Sequence, residues 1–197
     1  MNYKTLGIIL FCFFIPIFLL LTSYKLTLFL TDTTTAQEQT ILFLEGKNTL
    51  PLEYTSQERS HLKDVQQVMR WANGVFYVLL CAITAFIVIW KKIQKKIWKT
   101  DQEMLQKLLW HGGLTTVISL GLLSGLIVLF FNQVFTLFHL LFFPQGNWTF
   151  PADSHLIQTF PLEFFYSISL DIFLLSLVLG IILMITARKI QTIQRSP

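Results

Sequence analysis

Charge is scarce in this chain. Only 13% of its 197 residues are Asp, Glu, Lys or Arg, against about 25% in an average soluble domain. Apolar residues make up 53%, with 19 Phe, which excludes an ordinary water-soluble globule. Cysteine is nearly absent. Cys12 and Cys81 both fall in apolar stretches, so no disulfide framework is implied. Cys12 follows Leu10 and Phe11, which is not a lipid-attachment context, and apolar packing accounts for both residues. There is no phosphate loop, dinucleotide fingerprint, paired-cysteine motif or zinc-binding His-Glu-x-x-His. No segment has the alternating pattern of an outer-membrane strand, and no internal repeat suggests a transporter. No nucleic-acid motif is present.

Long apolar runs are what the chain has instead. A spanning helix needs about 20 mostly apolar residues, and four stretches qualify: about 6–30, 71–90, 113–143 and 164–187. The chain therefore reads as a single integral membrane domain, 1–197. Its expected fold is all-α: a four-transmembrane-helix bundle with amphipathic, interfacial extracellular segments. Pro16 interrupts the first stretch, but membrane helices tolerate Pro when a neighbour satisfies the freed carbonyl. Lys4 ahead of that stretch imitates a signal peptide. The run is too long for one and no small-x-small site follows closely, so it reads as an uncleaved helix.

Basic residues are concentrated in the loop 91–112, at Lys91, Lys92, Lys95, Lys96, Lys99 and Lys107, and after the last span, at Arg188, Lys189 and Arg195. Lys4 precedes the first span. The positive-inside rule puts all of these in the cytoplasm, with both termini. The segment 31–70 has six acids against four bases, and 144–163 has two acids and no base, so both belong outside. Four spans satisfy this pattern; three or five would not. The run Lys91 to Lys99 is a topology determinant, or a site for anionic inner-leaflet lipid. His111 reads as an interfacial residue on the cytoplasmic side.

The outer segments carry the chemistry. Residues 31–46 read as a short amphipathic helix, capped by Thr33 or Thr34, with Ile41, Leu42 and Leu44 on its apolar side and Gly46 at its end. Pro51 starts a turn. Thr55 with Glu58 matches a capping box, starting a helix that runs through Arg70 into the second span. Glu58, His61 and Asp64 then follow at i, i+3 and i+6, placing His61 between two carboxylates. A carboxylate can fix an imidazole's tautomer; the alternative is a solvated polar helix start. His139 stands among Phe and Leu at the end of the third span, with Asn132 and Gln133 one to two turns deeper. It is a catalyst or a satisfied structural residue. Trp148, Phe150 and Phe160 place the next segment on the outer headgroup layer. Asp171, about two turns into the fourth span, is expected to face the bundle interior or a wet cavity, in a functional or structural role. Asn147-Trp148-Thr149 fits a glycosylation acceptor, and Ser154 beside His155 does not make a Ser–His pair.

Three blocks together resemble a known family. They are Tyr54-Thr55, Glu58 and His61-Leu62-Lys63-Asp64-Val65; then Phe138-His139, Phe142-Phe143, Gly146, Asn147, Trp148 and Phe150-Pro151; then Asp153, Leu156-Ile157, Phe160-Pro161 and Phe164-Phe165. The sequence is similar to the bacterial lipoprotein intramolecular transacylases, small four-span membrane proteins of Gram-positive bacteria. The resemblance covers nearly the whole chain. Leu62 stands where the family would have Met, an apolar-for-apolar change.

The resemblance implies a substrate, a diacylglyceryl-modified lipoprotein, and a reaction: the sn-2 acyl chain moves to the α-amino group of the N-terminal cysteine, giving the lyso form. It puts the family's two histidines on His61 and His139, with no cofactor, no metal and no nucleic acid, and with membrane lipids as neighbours. Donor and acceptor belong to one molecule, so proximity can supply up to about 7–11 kcal/mol of the barrier. An α-amino group ordinarily titrates at about pH 7.7–8.0 and so needs a base. His61 and His139 divide that work, with Glu58 or Asp64 orienting His61. Asn147, Trp148 or a backbone N–H near Gly146 can donate to the oxyanion. Direct transfer and a transient acyl-imidazole both remain open. Two rivals stand beside this reading. One is a metal-dependent membrane hydrolase using His61, His139, His155 and a carboxylate; the other is a non-enzymatic scaffold or accessory subunit.

Overall fold

In the computed structural model, the backbone is described for residues 3–51, 53–94 and 98–195, and side chains for 8–51, 53–89 and 102–192. The basic run from Lys91 to Lys99 lies outside the described side chains, as do Lys4 and Arg195. The described residues form six helices: α1 (Tyr3–Leu30), α2 (Thr35–Leu44), α3 (Ser56–Gln94), α4 (Trp98–Phe142), α5 (His155–Thr159) and α6 (Leu162–Arg195). Four contain segments long and apolar enough to cross a membrane: Ile8–Leu30, Ser56–Ile89, Gln102–Phe142 and Leu162–Thr192. Helices α3 and α4 run well past the apolar stretches 71–90 and 113–143. Between Ser56 and Arg70 no Gly or Pro interrupts the chain, so a helix capped at Thr55 propagates straight into the apolar segment.

Helices α1, α4 and α6 pack closely because small residues meet. A Cβ added at Gly113 would lie 2.6 Å from the Gly180 carbonyl oxygen, and one at Gly112 would lie 2.6 Å from the Phe11 ring. Without a hydrophobic drive between helices in lipid, such close backbone approach supplies the packing. Thr116 and Ser176 are fully buried there, and each turns its hydroxyl onto the carbonyl four residues back, at 2.8 and 2.7 Å. Pro16 has the help it needs: Cys12, whose carbonyl the proline leaves without an amide, accepts from Thr115 Oγ1 of α4 at 3.2 Å. The apolar span of α3 stands more apart and touches α1 through Phe18–Phe76 stacking at 5.6 Å. Lys25, a cation inside the first span, donates to Asn73 Oδ1 at 2.7 Å. Its ammonium also lies over the Phe76 and Tyr77 rings, 5.3 and 5.5 Å from their centroids.

At one end of the bundle, α2, α5 and the adjoining ends of α3, α4 and α6 form a cap. Thr34 starts α2 with a capping box completed by Gln37. Gly46, at φ 77°, ends it. The Gly46 N–H bonds Phe43 O and the Lys47 N–H bonds Leu42 O, the paired bonds of a Schellman stop that needs a left-handed residue. Beneath lie Tyr54, Leu62, Leu156 and Phe160, all buried. Phe160 is therefore a core residue of the cap, not a headgroup anchor. The Tyr54 and Thr40 hydroxyls are hydrogen-bonded at 2.7 Å inside this core.

Candidate functional site

His61 lies on the second turn of α3 and His139 on the last turn of α4. They are 78 positions apart in sequence, yet their ring centroids are 6.0 Å apart with planes inclined at 27°. Both are buried, at 6% and 8% exposure, which overturns the solvated helix start as an account of His61. The cage around them is aromatic. Phe143, at 4.8 Å, and Phe150, at 5.7 Å, flank His61, while Phe135 at 4.1 Å and Trp148 at 4.9 Å flank His139. Phe135 and His139 share a helix face by their i, i+4 spacing. The chain returns to the pair through a turn in which the Gly146 N–H bonds Phe143 O at 3.1 Å, with Gly146 at φ 77°.

The ring nitrogens are distinguished by what they meet. His139 Nδ1 lies 2.8 Å from the Phe135 carbonyl oxygen. A carbonyl only accepts, so Nδ1 carries the proton and Nε2 keeps its lone pair. His61 Nδ1 is buried without a hydrogen-bond partner among the described residues. Neither Nε2 is among the sealed, unpartnered atoms.

The carboxylates have other duties. Glu58 does not orient His61. One of its oxygens accepts the Thr55 N–H at 2.7 Å and the other accepts the Leu156 N–H at 2.8 Å. It is 1% exposed and fastens the start of α3 to the start of α5, because both N-termini offer unpaired N–H groups. Asp64 makes no hydrogen bond to His61 among the described residues. Its Oδ2 accepts from Asn147 Nδ2 and Gln145 Nε2, both at 2.7 Å. Asn147 is therefore not a spare oxyanion donor, since its N–H groups go to Asp64 and, at 3.3 Å, to Ser60 Oγ. The Gly146 N–H is likewise spent on its turn. The Trp148 indole N–H makes no hydrogen bond among the described residues. Asp171 does not join the site: it lies on the exposed face of α6, opposite to the face that packs through Gly180 on α4. His155 meets Tyr54 edge-on at 4.8 Å and makes no ring contact with His61 or His139 among the described residues.

Gln145, Ser60, Phe135 and Phe143 were not singled out by the sequence as site residues. Phe135, one helical turn before His139, and Phe143, inside the motif block around His139, had a readable signal.

The family model of the lipoprotein intramolecular transacylase Lit matches residues 30–165, a stretch that holds both histidines and the whole cap. The chain belongs to that family. The transacylase family is a family of membrane acyltransferases, and the likeness extends to the fold. The membrane-integral lipoprotein intramolecular transacylase of Bacillus cereus is 20% identical and superposes with a TM-score of 0.79, covering 98% of each chain. A variant of that protein with a histidine replaced by alanine superposes at 0.74, covering 98% of this chain and 96% of that one. A protein of Aquifex aeolicus described as uncharacterized is 25% identical over 133 residues, 68% of this chain. This chain spans 56% of that relative's length.

Proposed function

We propose that this transacylase moves the sn-2 acyl chain of a diacylglyceryl-modified lipoprotein to the α-amino group of its N-terminal cysteine, leaving an N-acyl, S-monoacylglyceryl product. The observation that carries this reading is the facing pair His61 and His139 in an aromatic cage, 6.0 Å between ring centroids. At neutral pH the incoming amine is an ammonium ion, since α-amino groups ordinarily titrate at about pH 7.7–8.0. One imidazole Nε2 takes a proton from it, and the freed amine attacks the sn-2 ester carbon. The second Nε2 then takes a proton from the attacking nitrogen and returns it to the glycerol oxygen as the ester C–O bond breaks. An amide N–C bond replaces the ester bond, the glycerol oxygen becomes a hydroxyl, and the first proton leaves to solvent. The Trp148 indole, 4.9 Å from the His139 ring, donates its N–H to the tetrahedral oxyanion.

The protein's own aromatic walls exclude bulk water, so the ester meets an amine before it meets a hydrolytic water. Because donor and acceptor are one molecule, no cofactor or activated donor is required. The basic loop 91–112 and the charges after α6 belong in the cytoplasm by the positive-inside rule. That puts the cap at the outer leaflet of the bacterial cytoplasmic membrane, where a lipoprotein presents its modified cysteine. The test is tandem mass spectrometry of a lipoprotein N-terminus from cells expressing the chain, because transfer rearranges the molecule without changing its mass. An acyl group on the amine supports the proposal. A free amine with both ester chains retained refutes it.

A further inference from the structure

Three buried side-chain atoms lack a hydrogen-bond partner among the described residues: Ser23 Oγ, His61 Nδ1 and Asn147 Oδ1. The last two belong to one site: Asn147 is bonded to Ser60 and Asp64, which stand one position before and three positions after His61 on α3. The direction of the Asn147 amide is not free. Asp64 carries a carboxylate that only accepts, so the group 2.7 Å from its Oδ2 is the Asn147 Nδ2 donor. Ser60 Oγ, at 3.3 Å, holds the same edge of the amide, and Gln145 fastens Asp64 from the other side at 2.7 Å. With Nδ2 spent, Asn147 Oδ1 is the amide atom left to pair.

We infer that Asn147 is a positioning residue for His61: its carbonyl oxygen, aimed by Asp64, selects the Nδ1–H tautomer and leaves Nε2 as the bare, reactive nitrogen. One hydrogen bond between them satisfies both orphaned atoms at once. His139 reaches the same tautomer by a different device, a main-chain carbonyl on its own helix. The two imidazoles thus present matched Nε2 atoms, one set by the backbone and the other by a side-chain relay from Asp64 through Asn147. That a reactive Nε2 serves acyl transfer rests on the function proposed above; the tautomer itself does not.

The test is ¹⁵N NMR of histidine-labelled protein in lipid nanodiscs, with His61 and His139 assigned by single His→Gln variants. His61 is expected to show a protonated Nδ1 and a bare Nε2. Asn147→Ala should shift His61 toward the opposite tautomer while His139 keeps its signature, with transfer falling about tenfold or more. An Nε2–H form of His61 in the unaltered protein, or unchanged His61 shifts in Asn147→Ala, overturns the inference. A second arm exchanges the roles. Asn147→Asp alone sets two carboxylates against each other and should lose activity, whereas Asn147→Asp with Asp64→Asn restores one donor and one acceptor and should recover most of it. Failure of the pair to recover removes Asp64 from the relay. If the tautomer signatures appear but the chain transfers no acyl group, the proposed function fails and the positioning inference stands.

Discussion

The bundle and the cap are held together by different physics. In the bundle, α1, α4 and α6 meet through small residues, with Gly113 against the Gly180 carbonyl, and buried hydroxyls there fold back onto their own helices. In the cap, an apolar core is joined by hydrogen bonds between elements: Glu58 to Leu156, Asp64 to Asn147, Tyr54 to Thr40, Gln37 to the Thr159 carbonyl. Lipid supplies no competing water in the first region, so shape decides its packing. In the second, directional bonds fix the polar groups around two buried histidines. Close fit holds the bundle, whereas in the cap the polar atoms are assigned one by one.

This contrast can be broken at several points. The largest effect belongs to the histidines. His61→Ala and His139→Ala should each lower transfer by roughly 10²–10⁴-fold, with membrane insertion and thermal unfolding nearly unchanged, as read by lipoprotein mass spectrometry beside a melting assay. Glu58→Ala comes next. It leaves the Leu156 N–H buried and unpaired at a cost of about 1–3 kcal/mol and uncaps α3. Protease cleavage between residues 145 and 161 should rise sharply and activity should fall with it, while the bundle stays folded. Gly113→Ala should do the reverse. Its new methyl meets a backbone oxygen, and overpacking of this kind destabilises by about 1–3 kcal/mol, lowering the melting temperature while transfer per folded molecule persists. Smallest is Tyr54→Phe, which removes one buried hydroxyl contact worth about 1 kcal/mol; Thr40 keeps its bond to the Ala36 carbonyl at 2.9 Å, so a modest loss of cap stability is expected.

The bundle was legible in the sequence because its signal is length and apolarity, which require no knowledge of partners. The caps were legible too. Thr34, Thr55 and Glu58 act within three residues of their partners, and local hydrogen bonds leave local patterns. The site was legible only in its two histidines. Glu58 looked like a partner for His61 because i, i+3 spacing shares a helix face, but one of its oxygens serves Leu156, 98 positions away, and spacing carries no trace of that. Asp64 similarly acts through Asn147, 83 positions away. Asp171 was drawn to the interior by its chemistry, and the helix face it occupies depends on how α6 rotates to pack Gly180 against α4, which periodicity alone did not fix. Lys25 passed unremarked because a single charge in a long apolar run hardly alters its mean, although Asn73 and two rings accommodate it.

The central claim is that one molecule supplies both the acyl group and the amine at the His61–His139 pair. The most direct measurement uses purified chain in lipid nanodiscs with a synthetic diacylglyceryl-cysteine peptide carrying an isotopic label in the sn-2 acyl chain alone, mixed with unlabelled peptide of a different sequence. The account predicts label on the amine of the labelled peptide only, and none when His61 or His139 is replaced by alanine. Label appearing on the second peptide, or an amine left free while the sn-2 ester is hydrolysed, would contradict it.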